Sequence, residues 1–313
     1  MKYLLFIGVL ATIFFGSGFR NNGRHIESQL KDDLIIAKKA EDTLRYVFMG
    51  HTYRYNNPGP RYIVDPRIQD FDFTGYSRTW LGGDISSEAT LNRGNFVYLD
   101  SVFDLMAPTT QYALGNHDIR NGNIQYYREA TGRKSYNVYS ANGIVSLCMN
   151  SQLNPSNCED LNLQFQMLKN VCDTIQNSSH LVLIMHNCLF YGVPNIPPPN
   201  TFAHSNFTNW NANCSSSTQT FTTAIYPMLE AVKEKGIMVH VIMGDTGTSV
   251  KQFHQESTDS IHFFASGIGN SKYLDSAVLA TKPLDRVLVF EHVLATQEMT
   301  WQFQDLDSLV STQ

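Results

Sequence analysis

Five times along this chain a short apolar run stops at side chains that bind metals or move protons. Tyr46-Val47-Phe48-Met49 stops at Gly50-His51-Thr52-Tyr53, and Ser77-Arg78-Thr79-Trp80-Leu81 leads into Gly82-Gly83-Asp84. Thr110-Gln111-Tyr112-Ala113-Leu114 runs into Gly115-Asn116-His117-Asp118. Leu181 to Met185 is followed by His186, and Ile237 to Met243 closes on Gly244-Asp245-Thr246-Gly247. Apolar runs of this length, bounded by glycine, are the pattern of buried strands. The loops after such strands are where an open α/β sheet places its chemistry. A lone His after a strand is ordinarily structural. Five such coincidences point instead to one shared site, and its amide, imidazole and carboxylate groups suit a metal ion.

Between the strands lie segments with helical spacing. Asn95 to Met106 places Val97, Leu99, Val102, Phe103, Leu105 and Met106 on a helical repeat, and Leu161 to Ile175 does the same with Leu163, Phe165, Leu168, Val171 and Cys172. Ala224 to Lys235 is a further amphipathic helix, ended by Gly236. Tyr136 to Tyr139 and Ile144 to Met149 are expected to pair as a hairpin through Ala141-Asn142-Gly143. Ile261 to Ala265, Arg286 to His292 and Met299 to Phe303 complete a mixed sheet. Residues 54–75, rich in Pro, Gly, Asp and Asn, are expected as a covering loop. The class is therefore α/β. With 42% hydrophobic and 16% charged residues a sizeable core is available, and the net charge of -5 gives no reason to expect nucleic acid as a partner.

Residues 1–18 have the three-part form of a secretory signal peptide: Met1-Lys2, an apolar run from Tyr3 to Phe15, then Gly16-Ser17-Gly18. An uncleaved N-terminal anchor is the alternative, so export to a periplasmic or extracellular space is expected, with membrane attachment only if the segment is retained. Residues 19–42 form a linker, and 43–313 one domain carrying an insertion at 190–222. The insertion is rich in Pro, Asn, Ser and Thr, with Phe190, Tyr191, Phe202, Phe207, Trp210 and Phe221 interleaved. Its aromatic residues and His204 either contact a sugar or base or pin the loop to the core. Five cysteines suit an exported chain with disulfides, and Cys188 with Cys214 would close the insertion. Asn177-Ser178-Ser179, Asn206-Phe207-Thr208 and Asn213-Cys214-Ser215 match the glycosylation acceptor pattern.

From about Arg45 to Phe303, the order and spacing of these pieces resemble the calcineurin-like metallophosphoesterase family. The strongest matches are Gly83-Asp84, Gly115-Asn116-His117-Asp118, and His186 after its apolar strand. The helix around Gln164 to Leu168 and Ser266-Gly267-Ile268-Gly269 support them. The resemblance implies a four-layer αββα sandwich with two mixed β-sheets, and a site for two metal ions. Asp84 would bridge them, Asn116 and His186 would hold one ion, and His117 would be the general acid or electrostatic partner of the leaving group.

Two motifs depart from the family. Where the first motif has Asp and, two residues on, His, this chain has His51 and Tyr53. Where the last has Gly-His-x-His, it has Gly244-Asp245-Thr246-Gly247, so Asp245 is a possible oxygen ligand and Gly247 offers none. One metal keeps Asp84, Asn116, His186 and Asp245. The other has Asp84 with His51 and Tyr53 as replacements, and His254 or His262 as a distant substitute; the remaining His180, His240 and His292 are taken as structural. Alternatively His51 and Asp245 face each other as a hydrogen-bonded pair that makes His51 a base. The expected function is hydrolysis of a phosphate mono- or diester by metal-activated water, using Mn, Fe or Zn, with Mg also suitable, as one or two ions. The substrate would be a phosphorylated small molecule or glycan. The other reading is a weakly active or inactive relative that serves as an exported ligand-binding module.

Overall fold

The computed structural model describes residues 42–53, 60–190, 192–197, 210–214, 218–246, 250–269 and 283–311. The signal segment 1–18, most of the linker, His204, Asn206, Gly247 and much of the insertion lie outside these residues.

Two mixed sheets face each other. The first has five strands in the order β11-β10-β1-β2-β3, and the second has six in the order β4-β5-β6-β7-β9-β8. In the first sheet β1 (Thr43–Met49), β2 (Arg78–Leu81) and β3 (Thr110–Tyr112) are parallel, while β10 (Arg286–Val293) and β11 (Glu298–Asp305) pair antiparallel. In the second, β5 (Ile144–Cys148), β6 (His180–Met185), β7 (Met238–Met243) and β9 (His262–Ser266) are parallel, with antiparallel β4 (Asn137–Ala141) and β8 (Gln252–Glu256) at the edges.

The continuous apolar runs follow from burial on both strand faces. Alternate side chains of a strand point to opposite sides of the sheet. Tyr46 and Phe48 of β1, Trp80 of β2, Val182 and Ile184 of β6, Ile242 of β7, and Leu288 and Phe290 of β10 meet between the sheets. Their neighbours turn outward onto helices. Val47, Met49 and Leu81 pack with α2 (Arg93–Phe103) and α3 (Gln125–Thr131). Leu181, Leu183, Val239 and Val241 pack with α4 (Cys158–Thr174) and α5 (Tyr226–Glu234). The result is helix, sheet, sheet, helix: the α/β sandwich that the strand pattern and the resemblance imply. A short α1 (Pro66–Gln69) precedes β2, and α6 (Leu306–Ser311) ends the fold.

Local chemistry sets the ends. Asn92 caps α2 by accepting from the backbone N–H of Asn95. The helix stops at Phe103, three residues short of the expected Met106, because Asp104 turns left-handed. Phe96, Leu99 and Phe103 are its buried face, whereas Val97 and Met106 are exposed. On α4, Leu161, Gln164, Leu168 and Cys172 are buried, the spacing of one helix face. The hairpin β4–β5 turns at Asn142 and Gly143, both at positive φ, as a tight two-residue connection requires.

Cysteine pairing differs from the expectation. Cys214 bonds to Cys158, not Cys188. The backbone N–H of Cys214 donates to the Asn162 side chain, which fixes it beside the first turn of α4. Cys188 is buried in the core behind β6, and Cys148, Cys172 and Cys188 are all free thiols. Phe190, Trp210 and Phe221 of the insertion also lie in that core, and Trp210 donates its indole N–H to the Leu153 carbonyl. These three therefore pin the insertion rather than present it. Asn177 is exposed and Asn213 buried, so these two acceptor asparagines differ in access. No helix among the described residues is long and apolar enough to cross a membrane.

Candidate metal centre

The carboxyl ends of the parallel strands in both sheets converge. His51 follows β1, Asp84 follows β2 and Asn116 follows β3, while His186 and Asp245 follow β6 and β7. Backbone hydrogen bonds stitch these loops together: the His51 N–H donates to Gly83 O at 3.0 Å and the Asp245 N–H to His186 O at 2.8 Å. Glycine permits the approach of the two sheets. A Cβ on Gly244 would lie 1.8 Å from the carbonyl oxygen of Gly82. His51 (φ 56°) and Asp84 (φ 51°) occupy the left-handed region, a conformation that costs energy outside glycine and gathers at functional sites.

Asp84 and Asp245 lie between two parallel imidazoles. The rings of His51 and His186 are 6.1 Å apart with planes 3° from parallel. His51 Nε2 is 3.1 Å from Asp84 Oδ2 and 3.7 Å from Asp245 Oδ1. The His51, Asp84 and Asp245 ligand atoms lie within 4.8 Å of one another, and all three residues are buried. This buried group can hold a metal ion. Asp84 Oδ2 is buried, with His51 Nε2 as its near neighbour.

On the other side, His186 Nδ1 is 2.9 Å from the carbonyl oxygen of Gly82. A carbonyl only accepts, so Nδ1 carries the proton. Nε2 faces oxygens: Asn116 Oδ1 at 3.2 Å, Asp84 Oδ1 at 3.5 Å and Asp245 Oδ1 at 3.6 Å. A ring nitrogen and three oxygens gathered at these distances repel unless a proton or a cation lies among them. Tetrahedral ligands at about 2.1 Å from an ion are about 3.4 Å apart, which matches this spacing. The Gly82 carbonyl supplies the outer hydrogen bond that ligating histidines ordinarily have.

Charge is distributed in keeping with this geometry. Burial disfavours the Asp84 carboxylate, but the His186 charge and the hydrogen bond and charge of His51 hold its pKa well below the usual range. Burial also opposes charge on His51, yet hydrogen bonds to Asp245 and Asp84, with their charges, push it up to about 9. Without metal at neutral pH, His51 is thus an imidazolium holding two carboxylates together.

Asp118 braces the loops rather than joining the ligand cluster. Its carboxylate accepts from the backbone N–H of Asp84 at 2.7 Å, Gly115 at 2.8 Å and Ser86 at 3.0 Å. Burial and then the Asp84 charge push it up to about 7, against the Gly115 and Ser86 donors. Gly115 is required beside it, since a Cβ there would lie 2.1 Å from Asp84 Oδ1. His117 stands at the rim, its Nε2 3.9 Å from Asp84 Oδ2, and its pKa is lowered chiefly by burial. Tyr53 stacks on His117, with centroids 4.8 Å apart and planes 18° apart, and tilts against His51 at 5.0 Å.

The expected ligands on described residues therefore meet in one place. His254 and His262 do not join them. His262 opens β9 beside His240, at the amino ends of the parallel strands, and the pair packs against Phe264 and Trp301. They are removed as substitute ligands because β8 and β9 carry them to the end opposite Asp245. The sequence reading passed over Arg120, which contacts His117 through Nη2 and Nδ1. Its place three residues after His117 in the same loop is the signal that could have raised it. No family model and no curated protein matches this chain.

Proposed function

We propose that this protein hydrolyses phosphate esters with a single divalent transition metal, Mn, Fe or Zn, held by Asp84, Asn116, His186 and Asp245. The observation that carries the reading is His186 Nε2 set among three oxygens, two of them from carboxylates. The resemblance in motif order supports the same assignment. When bound, the ion would polarise a phosphoryl oxygen and acidify water.

The chain's own residues then divide the remaining work. Asn116 orients the ligand oxygens through its amide. His51, whose Nε2 faces both carboxylates, would accept a proton from water there. Asp84 and Asp245 stabilise the imidazolium that forms. His117, its ring 6.3 Å from that of His51 at the rim, would donate to the leaving oxygen. Tyr53 holds the His117 ring plane by stacking and is assigned no ligand role.

The test is hydrolysis of an aryl phosphate monoester and diester by the full chain supplied with Mn, Fe, Zn or Mg. Turnover that disappears in Asp84→Asn and His186→Gln supports the proposal. Stoichiometric metal binding with no turnover in any of these ions favours the ligand-binding module.

A further inference from the structure

Arg120 is exposed at the rim of the centre, and its Nη2 meets His117 Nδ1. A guanidinium has only donors, so Nδ1 must be the acceptor. The neutral His117 ring then carries its proton on Nε2, the atom 3.9 Å from Asp84 Oδ2. The stack on Tyr53 holds the ring plane, so this N–H is kept on the side of the Asp84 carboxylate. Asp118, the nearby carboxylate that could have held the opposite tautomer, is engaged by three backbone N–H groups instead.

Charge balance adds a second observation. The Asp84 and Asp245 carboxylates already neutralise one divalent ion. A phosphate monoester dianion would arrive with charge that nothing in the ligand set offsets. Lys251 and Arg67 are committed elsewhere, to Asp285 and to Asp65 with Asp285. Arg120 uses one of its five N–H donors on His117 and leaves others for solvent or ligand.

We propose that Arg120 locks His117 as the Nε2–H tautomer and binds a phosphoryl oxygen, selecting phosphate monoester dianions. The tautomer part stands on hydrogen-bond geometry alone. The substrate part rests on the hydrolase reading.

Two measurements on the full chain test it. In metal-free, histidine-labelled protein at pH 8.5, the ring nitrogens of His117 are assigned by their loss in His117→Gln. Wild type should show Nε2 protonated and Nδ1 bare, and Arg120→Glu, which supplies an acceptor, should reverse them. A proton on Nδ1 in wild type overturns the proposal. In Mn-loaded protein, Arg120→Ala should weaken inorganic phosphate binding at least tenfold and leave Mn affinity within twofold. Arg120→Lys should recover part of the loss. Unchanged phosphate affinity in Arg120→Ala overturns the substrate part. Wild type that binds no Mn counts against the hydrolase reading, while the tautomer is still decided by the metal-free spectrum.

Discussion

His51 is the residue whose environment most changes its chemistry. Its ring is buried, which works against charge, yet two carboxylates raise its pKa to about 9. For a base with a raised folded pKa, the stabilisation is complete below the ordinary value near 6.5 and lost as pH rises through about 9. A divalent ion competes with that proton for the same oxygens. Mn affinity should therefore rise with pH from about 6.5 to about 9 and then level off. At pH 7.5, titration calorimetry in buffers of different ionisation enthalpy should show roughly one proton released per ion. His51→Gln should abolish the release. A pH-independent affinity would contradict the placement of His51 against both aspartates.

At the scale of elements, the site depends on strand ends from two sheets arriving within contact distance. Gly82 and Gly244 let them do so, and Gly244→Ala would drive a methyl into the Gly82 carbonyl. That carbonyl also orients His186. The substitution should cost on the order of 1–3 kcal/mol in urea unfolding and weaken Mn binding more than tenfold. Equal Mn affinity in the folded variant would mean that the two strand ends can separate without loss. This convergence was legible in the sequence because His51, Asp84, Asn116, His186 and Asp245 each follow an apolar run closely. The edge strand Gln252–Glu256 was not, since polar residues dominate it and an edge needs no buried face. Helices Gln125–Thr131 and Leu306–Ser311 were missed because each is too short for an amphipathic repeat to register. The disulfide was misassigned because spacing cannot show that Cys214 docks on the first turn of α4.

Across the whole molecule the two ends of the sandwich gather different titratable groups. At the end away from the centre, rings of His292, His180, His240, His262 and His254 touch in succession, at 5.5, 5.4, 5.2 and 5.4 Å. His240 Nδ1 and His292 Nε2 are buried without hydrogen-bond partners. Burial, then the charges of His292, His262 and Lys233, lowers His180 to about 4. Arg78 likewise lowers His292, after burial, whereas Glu256 opposes the lowering of His254 and His262. A base with a depressed folded pKa binds protons more readily when unfolded, so stability falls as pH drops from about 6.5 toward 4. Asp118, raised to about 7, works in the opposite sense over part of that range. Comparison with His180→Phe separates the two. Between pH 7.5 and 5, metal-free wild type should lose about 2 kcal/mol more than the variant in urea unfolding. Equal losses would show that the histidine end does not sense acid.

The central claim concerns one ion on four named side chains, and metal stoichiometry tests it most directly. Equilibrium dialysis of the full chain against Mn, read by elemental analysis, should give one ion per chain. Asp84→Asn should weaken binding by roughly 100-fold, about 2.8 kcal/mol. His186→Gln should have a comparable effect, and Arg120→Ala none. Absence of bound Mn, Fe and Zn, or Mn binding that persists unchanged in Asp84→Asn, would contradict the account.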